Sequence, residues 1–262
     1  MAVARANPEN SMSRRLLVTL LSVFAYPAPG LADEPWRFSL TPYLWFAGLQ
    51  GDVATVPGAP AAPIDISPRD AVDDTEAAIM FTLDAKRGHH GIYTDIFYSD
   101  VRSEDPLLPP PIGLSLHSTT KTTAITVAYE YEFYRQQAAF ADVLIGARYW
   151  KLDSELSFGG GLGFLAGRKV SHDESWVDPV IGLKGLTPLG DSRFYLQGGF
   201  GIGGFGVGSD SLYEWNAAVG YQWTKSIGTA VGYRMFVVDY ADGGFVYDVK
   251  QAGWLAGLTW TF

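Results

Sequence analysis

Seven charged residues carry most of the chemistry in this sequence: Asp84, Asp95, Glu130, Arg148, Asp178, Lys184 and Arg234. Each lies in a stretch where polar and apolar side chains alternate, and each falls on the polar parity. Ile125, Val127, Tyr129, Tyr131 and Phe133 share one parity; Thr122, Thr126, Glu130 and Glu132 share the other. Val143, Ile145, Ala147 and Tyr149 oppose Asp142, Gly146 and Arg148, while Val177, Ile181 and Leu183 oppose Asp178, Gly182 and Lys184. Period two is the signature of strands with two unlike faces. If the polar face is an interior, its charges have two uses. They neutralise one another, because an unpaired buried charge is prohibitively costly. Otherwise they line a narrow polar channel and set its selectivity for small solutes.

Other residue groups suggest other chemistry. Hydrolysis needs a nucleophile or activated water beside a base, and the bases available are His89, His90, His117 and His172. His117 neighbours Ser115 and Ser118; His172 neighbours Ser171, Asp173 and Glu174. Adjacent residues on a strand point to opposite faces, so these neighbours need not meet. Gly201-Ile202-Gly203-Gly204-Phe205-Gly206 matches a dinucleotide fingerprint, but no helical pattern follows to receive a pyrophosphate. Gly199, Gly201 and Gly203 read better as the bare face of a strand, leaving room for side chains from the far wall. Asp70, Asp73 and Asp74 follow Ser67-Pro68, a helix-cap pair, without the spacing of a calcium loop. With no cysteine there is no thiolate site. No metal or cofactor is expected.

The elements that position these residues read as strands. Among 262 residues the chain carries 30 Gly, 14 Tyr, 15 Phe and 8 Trp, with formal net charge −9. That acidity disfavours nucleic acid as a partner. Mean hydropathy is only +0.06, and beyond the first residues no apolar run is long enough for a membrane helix. Residues 1–32 read as a secretory signal: basic Arg14-Arg15, apolar Leu16 to Ala25, and small Gly30-Leu31-Ala32, with Met12 a possible true start. Residues 33–262 divide into ten alternating segments, near 37–54, 75–86, 90–102, 115–134, 138–158, 173–187, 192–207, 211–223, 227–240 and 245–262. The fold class expected is all-β: a single antiparallel transmembrane β-barrel of about ten strands. Eight or twelve stay open, because Gly163 to Val170 reads as a possible extra strand piece. Short connections carrying Lys86, Arg87, Arg135, Arg193 and Lys225 alternate with longer ones carrying Asp65, Asp70, Asp73, Glu104, Asp105 and Asp242. Short turns on one side and long loops on the other is the outer-membrane pattern, with the long loops outside.

The chain ends Gly257-Leu258-Thr259-Trp260-Thr261-Phe262. Gly257, Trp260 and Phe262 resemble the carboxy-terminal signal read by the outer-membrane barrel assembly machinery, with Leu255 where a polar residue is usual. Thr41-Pro42-Tyr43-Leu44-Trp45, Trp176-Val177-Asp178-Pro179-Val180-Ile181-Gly182, Gly232-Tyr233-Arg234 and Val238-Asp239-Tyr240 together resemble a group of uncharacterised Gram-negative outer-membrane β-barrel proteins. The resemblance implies a barrel in the cell outer membrane, in contact with lipid and lipopolysaccharide. It implies no activity. The leading functional expectation is a non-enzymatic barrel, either a small porin-like channel or a structural envelope protein. The alternative is a membrane-embedded hydrolase or acyltransferase acting at the outer rim.

Overall fold

The computed structural model describes residues 34–55, 60–106, 115–159 and 167–262. The leader and residues 163–166 of the possible extra strand lie outside that set. The chain runs β1 (Arg37–Ala54), β2 (Ala62–Ile66), α1 (Pro68–Asp73), β3 (Thr75–Arg87), β4 (His90–Pro106), β5 (Ser115–Gln136), β6 (Ala139–Gly159), β7 (Lys169–Pro188), β8 (Phe194–Gly203), β9 (Ser211–Gln222), β10 (Ile227–Asp242) and β11 (Phe245–Thr261). From β3 to β11 sequential strands pair antiparallel, and β1 pairs with both β3 and β11, so ten long strands close a barrel. Closure leaves no long open edge.

The closing seam runs from Ser39↔Thr261 to Ala54↔Val246. Phe38 and Phe262 exchange backbone hydrogen bonds of 2.9 Å each way, and their rings stack at 5.8 Å. The β1–β3 ladder is short and stops at Pro42↔Phe81, a residue with no N–H to continue it. Farther along β1, Leu49 to Val53 pair instead with β2. The first long loop therefore contains a strand and a helix. Ser67 caps α1 by accepting from Asp70 N at 3.2 Å, and Pro68 occupies the first turn. Four connections, β3–β4, β5–β6, β7–β8 and β9–β10, lie at one end of the barrel. At the other end β10 turns into β11 through Gly243 and Gly244, both at positive φ (55° and 91°), the geometry a two-residue hairpin needs.

Two zones follow one another along the wall. Toward the short-turn end the outer face is apolar: Phe133, Tyr131, Tyr129 and Val127 on β5, Ile145 and Tyr149 on β6, Leu183, Ile181 and Val177 on β7, Trp260, Leu258 and Trp254 on β11, all exposed. Beyond this belt the same faces become polar. Tyr149 gives way to Lys151, Asp153 and Glu155, Val177 to Ser175 and Asp173, and Trp254 to Lys250 and Asp248. The inner face changes in the opposite sense. Asp142 and Arg148 give way to Trp150 and Leu152, Lys184 and Asp178 to Trp176, and Arg234 to Phe236, Val238 and Tyr240. Within the belt the barrel is apolar outside and charged inside. Within the collar beyond it, the barrel has the inside-apolar plan of a water-soluble protein.

Candidate functional site

The interior is built in layers. Nearest the short turns lie Asp84, Lys86, Glu130, Glu132, Asp142 and Lys184. Lys86 Nζ donates to Asp142 Oδ2 at 2.5 Å and lies 3.8 Å from Glu130 and 3.7 Å from Glu132. Lys184 Nζ bonds Asp84 and reaches Glu130 Oε2 at 2.6 Å. Arg135 bonds Glu132 from the rim. A register shift between Glu132 and Tyr134 lets Glu132 point inward while Phe133 and Tyr134 both stay outside. Glu130, Glu132 and Asp142 are almost wholly buried, so this layer is a knot of paired charges.

The next layer holds Tyr43, Asp95, Thr126, Arg148, Glu214 and Arg234. Glu214 joins the two arginines, with Arg148 Nη2 at 2.6 Å from one carboxylate oxygen and Arg234 Nη2 at 2.8 Å from the other. Arg234 also donates to Asp95 at 2.9 Å and to the Tyr43 hydroxyl at 3.0 Å, and Tyr43 donates to Asp95 at 2.8 Å. Arg148 Nε donates to Thr126 Oγ1 at 2.7 Å. Two positive and two negative groups close into one network, in which truncating any member strands a partner. The bare face of β8 makes room for it: a Cβ on Gly201 would lie 3.4 Å from Glu214 Cγ, and one on Gly199 3.2 Å from Asn216 Nδ2.

Above the charges the interior turns aromatic. Trp150 stacks on Trp176 at 5.6 Å, Trp176 on Tyr240 at 3.9 Å, and Trp45 meets Phe97 edge-on at 5.9 Å. Leu152, Val238, Phe245, Tyr247 and Val249 complete the layer at 5 % exposure or less.

Six of the seven charged residues singled out by parity belong to the two charged layers. Asp178 does not. Its side chain points inward, yet it accepts from Ser209 N at 2.6 Å, Ser209 Oγ at 2.8 Å and Trp176 Nε1 at 3.2 Å. It ties down the β8–β9 connection and bonds neither arginine. Sequence reasoning overlooked Glu214, which shares its parity with Asn216 against Tyr213 and Trp215. It also left Lys86 in a turn, whereas the side chain turns into the barrel and is 7 % exposed.

His89 lies at the rim of the first charged layer, with Nδ1 3.0 Å from the Glu132 carbonyl oxygen and 3.9 Å from its carboxylate, and the other three histidines lie apart from the networks. His90 bonds the Tyr129 hydroxyl on the outer face near the short turns. His117 Nε2 is 3.1 Å from Ser115 Oγ on β5. His172 sits on the inner face near the long-loop end, with Nε2 at 3.1 Å from Glu174 Oε2. Glu174 Oε1 accepts from the Tyr240 hydroxyl at 3.0 Å. The residue opposite His172 in the β6–β7 ladder is Ser154, whose buried hydroxyl has no partner among the described residues. Ser171 and Asp173 point outward, away from the His172 ring. The Gly201–Gly206 run leaves β8 for a turn and then β9, with no helix. Asp73 pairs with Arg69 in solvent, and no cluster suited to a metal occurs among the described residues.

No family model and no curated protein matches this chain. Solved structures do. The outer membrane protease OmpT from Escherichia coli superposes with a TM-score of 0.60 at 11 % identity, over 88 % of this chain and 98 % of that one. The chain shares that barrel fold. The transport unit of the autotransporter AIDA-I from Escherichia coli gives a TM-score of 0.46 at 9 % identity, over 98 % and 100 % of the two chains. Ail of Yersinia pestis gives 0.39 at 11 % identity, over 87 % and 99 %. At 11 % identity the likeness to OmpT shows the fold alone.

Proposed function

We propose that this protein is a non-enzymatic structural barrel of the Gram-negative outer membrane, exported by its leader and sealed rather than conducting. The observation that carries this reading is the filled interior: two layers of mutually paired charges capped by the Trp45–Trp150–Trp176–Tyr240 aromatic layer. A conducting lumen needs a continuous polar column, and an apolar layer of fully buried side chains interrupts one. The exposed apolar belt supports the membrane location. From Phe133 to Ile125 on β5, at about 3.4 Å per residue and a tilt near 45°, the belt rises roughly 20 Å, close to the band that lipid covers. The collar then stands in the polar headgroups and lipopolysaccharide. Purified barrel in a planar bilayer should show no steady conductance; open-channel currents with ion selectivity would overturn the reading in favour of a porin-like channel. Cysteines placed at Ala61 and Gly88 test orientation on intact cells. Ala61 should react with an impermeant label and Gly88 should not.

A second reading, hydrolysis at the outer mouth, is favoured by Ser154 facing His172 across the β6–β7 ladder with Glu174 bonded to the ring. These are the residue types of a nucleophile, a base and an orienting acid. Cleavage of a lipid ester or a peptide by wild-type protein, abolished by both Ser154→Ala and His172→Ala, would establish it over the structural role.

A further inference from the structure

Where the charged layers meet the aromatic layer, a cavity of about 20 Å³ remains, enough for one water-sized atom. Trp45, Trp150, Arg234, Arg148, Asp95 and Thr126 stand around it. Three of these residues hold buried N–H groups that find no acceptor among the described residues: Trp45 Nε1, Trp150 Nε1 and Arg234 Nε. The two indoles are 9 % and 4 % exposed, so bulk water does not reach them freely. A buried donor without an acceptor is destabilising, and three around one cavity is an unusual concentration.

The carboxylate and hydroxyl acceptors on the same wall are already engaged. Asp95 takes Tyr43 on one oxygen and Arg234 on the other, and Thr126 Oγ1 takes Arg148. Because Thr126 accepts through its oxygen, its own hydrogen is a further donor. Gln251 completes the wall, and its amide can turn its NH2 inward, so the cavity presents an excess of donors. It also lies beside two guanidinium groups: Arg234 is centred 5.1 Å from the Trp45 ring, and Arg148 lies 5.8 Å from the Trp150 ring. A water molecule there must still place two hydrogens. A single-atom anion only accepts; it gains from both cations at short range and is opposed by the Asp95 carboxylate on the same wall.

We propose that this cavity is a binding site for a small monoatomic anion of the halide class, held by the indole N–H groups of Trp45 and Trp150 and by Arg234 Nε. The anion joins the aromatic layer to the charge network, satisfying donors that neither layer satisfies by itself. Size makes the site selective: chloride and bromide fit, whereas gluconate does not.

The probe is bromide. Full-length barrel refolded and crystallised in bromide should show an anomalous peak bounded by Trp45, Trp150 and Arg234. At matched ionic strength, the midpoint of thermal unfolding should rise with chloride or bromide and not with gluconate, as it must for a ligand bound only by the folded state. Trp45→Phe and Trp150→Phe keep the aromatic packing and remove one donor each, and each should reduce the halide dependence. No anomalous peak in the wild-type crystal, with equal midpoints in all three salts, would overturn the proposal and leave a bound water. A peak without any shift in midpoint would mean an adventitious ion only, and would overturn it equally. The wild-type crystal and salt series decide the matter even if a tryptophan variant fails to fold.

Discussion

The belt and the collar of this barrel are made by the same strands with opposite solutions. In the belt, β6 places Val143, Ile145 and Tyr149 outside and Asp142 and Arg148 inside. In the collar, the same strand places Lys151, Asp153 and Glu155 outside and Trp150 and Leu152 inside. The geometry is unchanged; on the membrane placement proposed above, only the solvent on the outer face differs. Where that face meets a medium as apolar as a protein core, outward burial costs nothing, and the interior is free to hold charges that pair. Where it meets water or headgroups, the interior must supply the hydrophobic core. The contrast teaches that the two halves resist damage differently: the belt interior depends on every charge having its partner, the collar interior on filled volume.

The largest expected effect comes from breaking the belt network. Arg234→Ala leaves Asp95 and Glu214 facing each other with one cation fewer, and should cost roughly 3–5 kcal/mol. Heat-modified migration and the unfolding midpoint measure this, and an unchanged midpoint would show that the interior is wet. Arg148→Ala should act in the same direction through Glu214, without opening a current. Trp176→Ala tests the collar. It removes a ring stacked on Trp150 and Tyr240, and should cost about 3–5 kcal/mol as a cavity. The comparison sharpens if protease cleavage near the long loops rises in this variant while the belt stays folded. Gly201→Val overfills the bare face of β8 against Glu214, with an expected loss of about 1–3 kcal/mol; here Arg148→Ala in the same chain should add less than it does alone, because both act on Glu214. The smallest effect is a gain. Asp52, Asp248 and Asp239 face one another across β1, β11 and β10 on the outer face of the collar. Like charges directly opposite repel, so Asp248→Asn should stabilise by about 0.2–1 kcal/mol at low salt, and by less at high salt.

Much of this was legible in the sequence. Period-two alternation marked all ten long strands. The Ser67-Pro68 pair marked α1, and the terminal Trp260-Thr261-Phe262 marked the strand that closes on β1. The reversal of parity was not read, and its sign was Tyr149 beside Trp150 and Val177 beside Trp176, where both faces are apolar at once. Such information is local, because a strand's two faces are set by backbone geometry alone. Partner choice is not local. Asp178 stands opposite Arg148 in the β6–β7 ladder, and parity placed both side chains inside, with Asp178 one of four acids that could pair with an arginine. Arg148 instead reaches across the barrel to Glu214 on β9, and Asp178 holds Ser209. Ser154 and His172 likewise come to lie opposite each other only because β6 and β7 register as they do, while the neighbours of His172 in sequence point away. The sequence by itself determined which side chains go inside. Barrel closure and strand register decided which of them touch, because contacts across an interior depend on where distant strands come to lie.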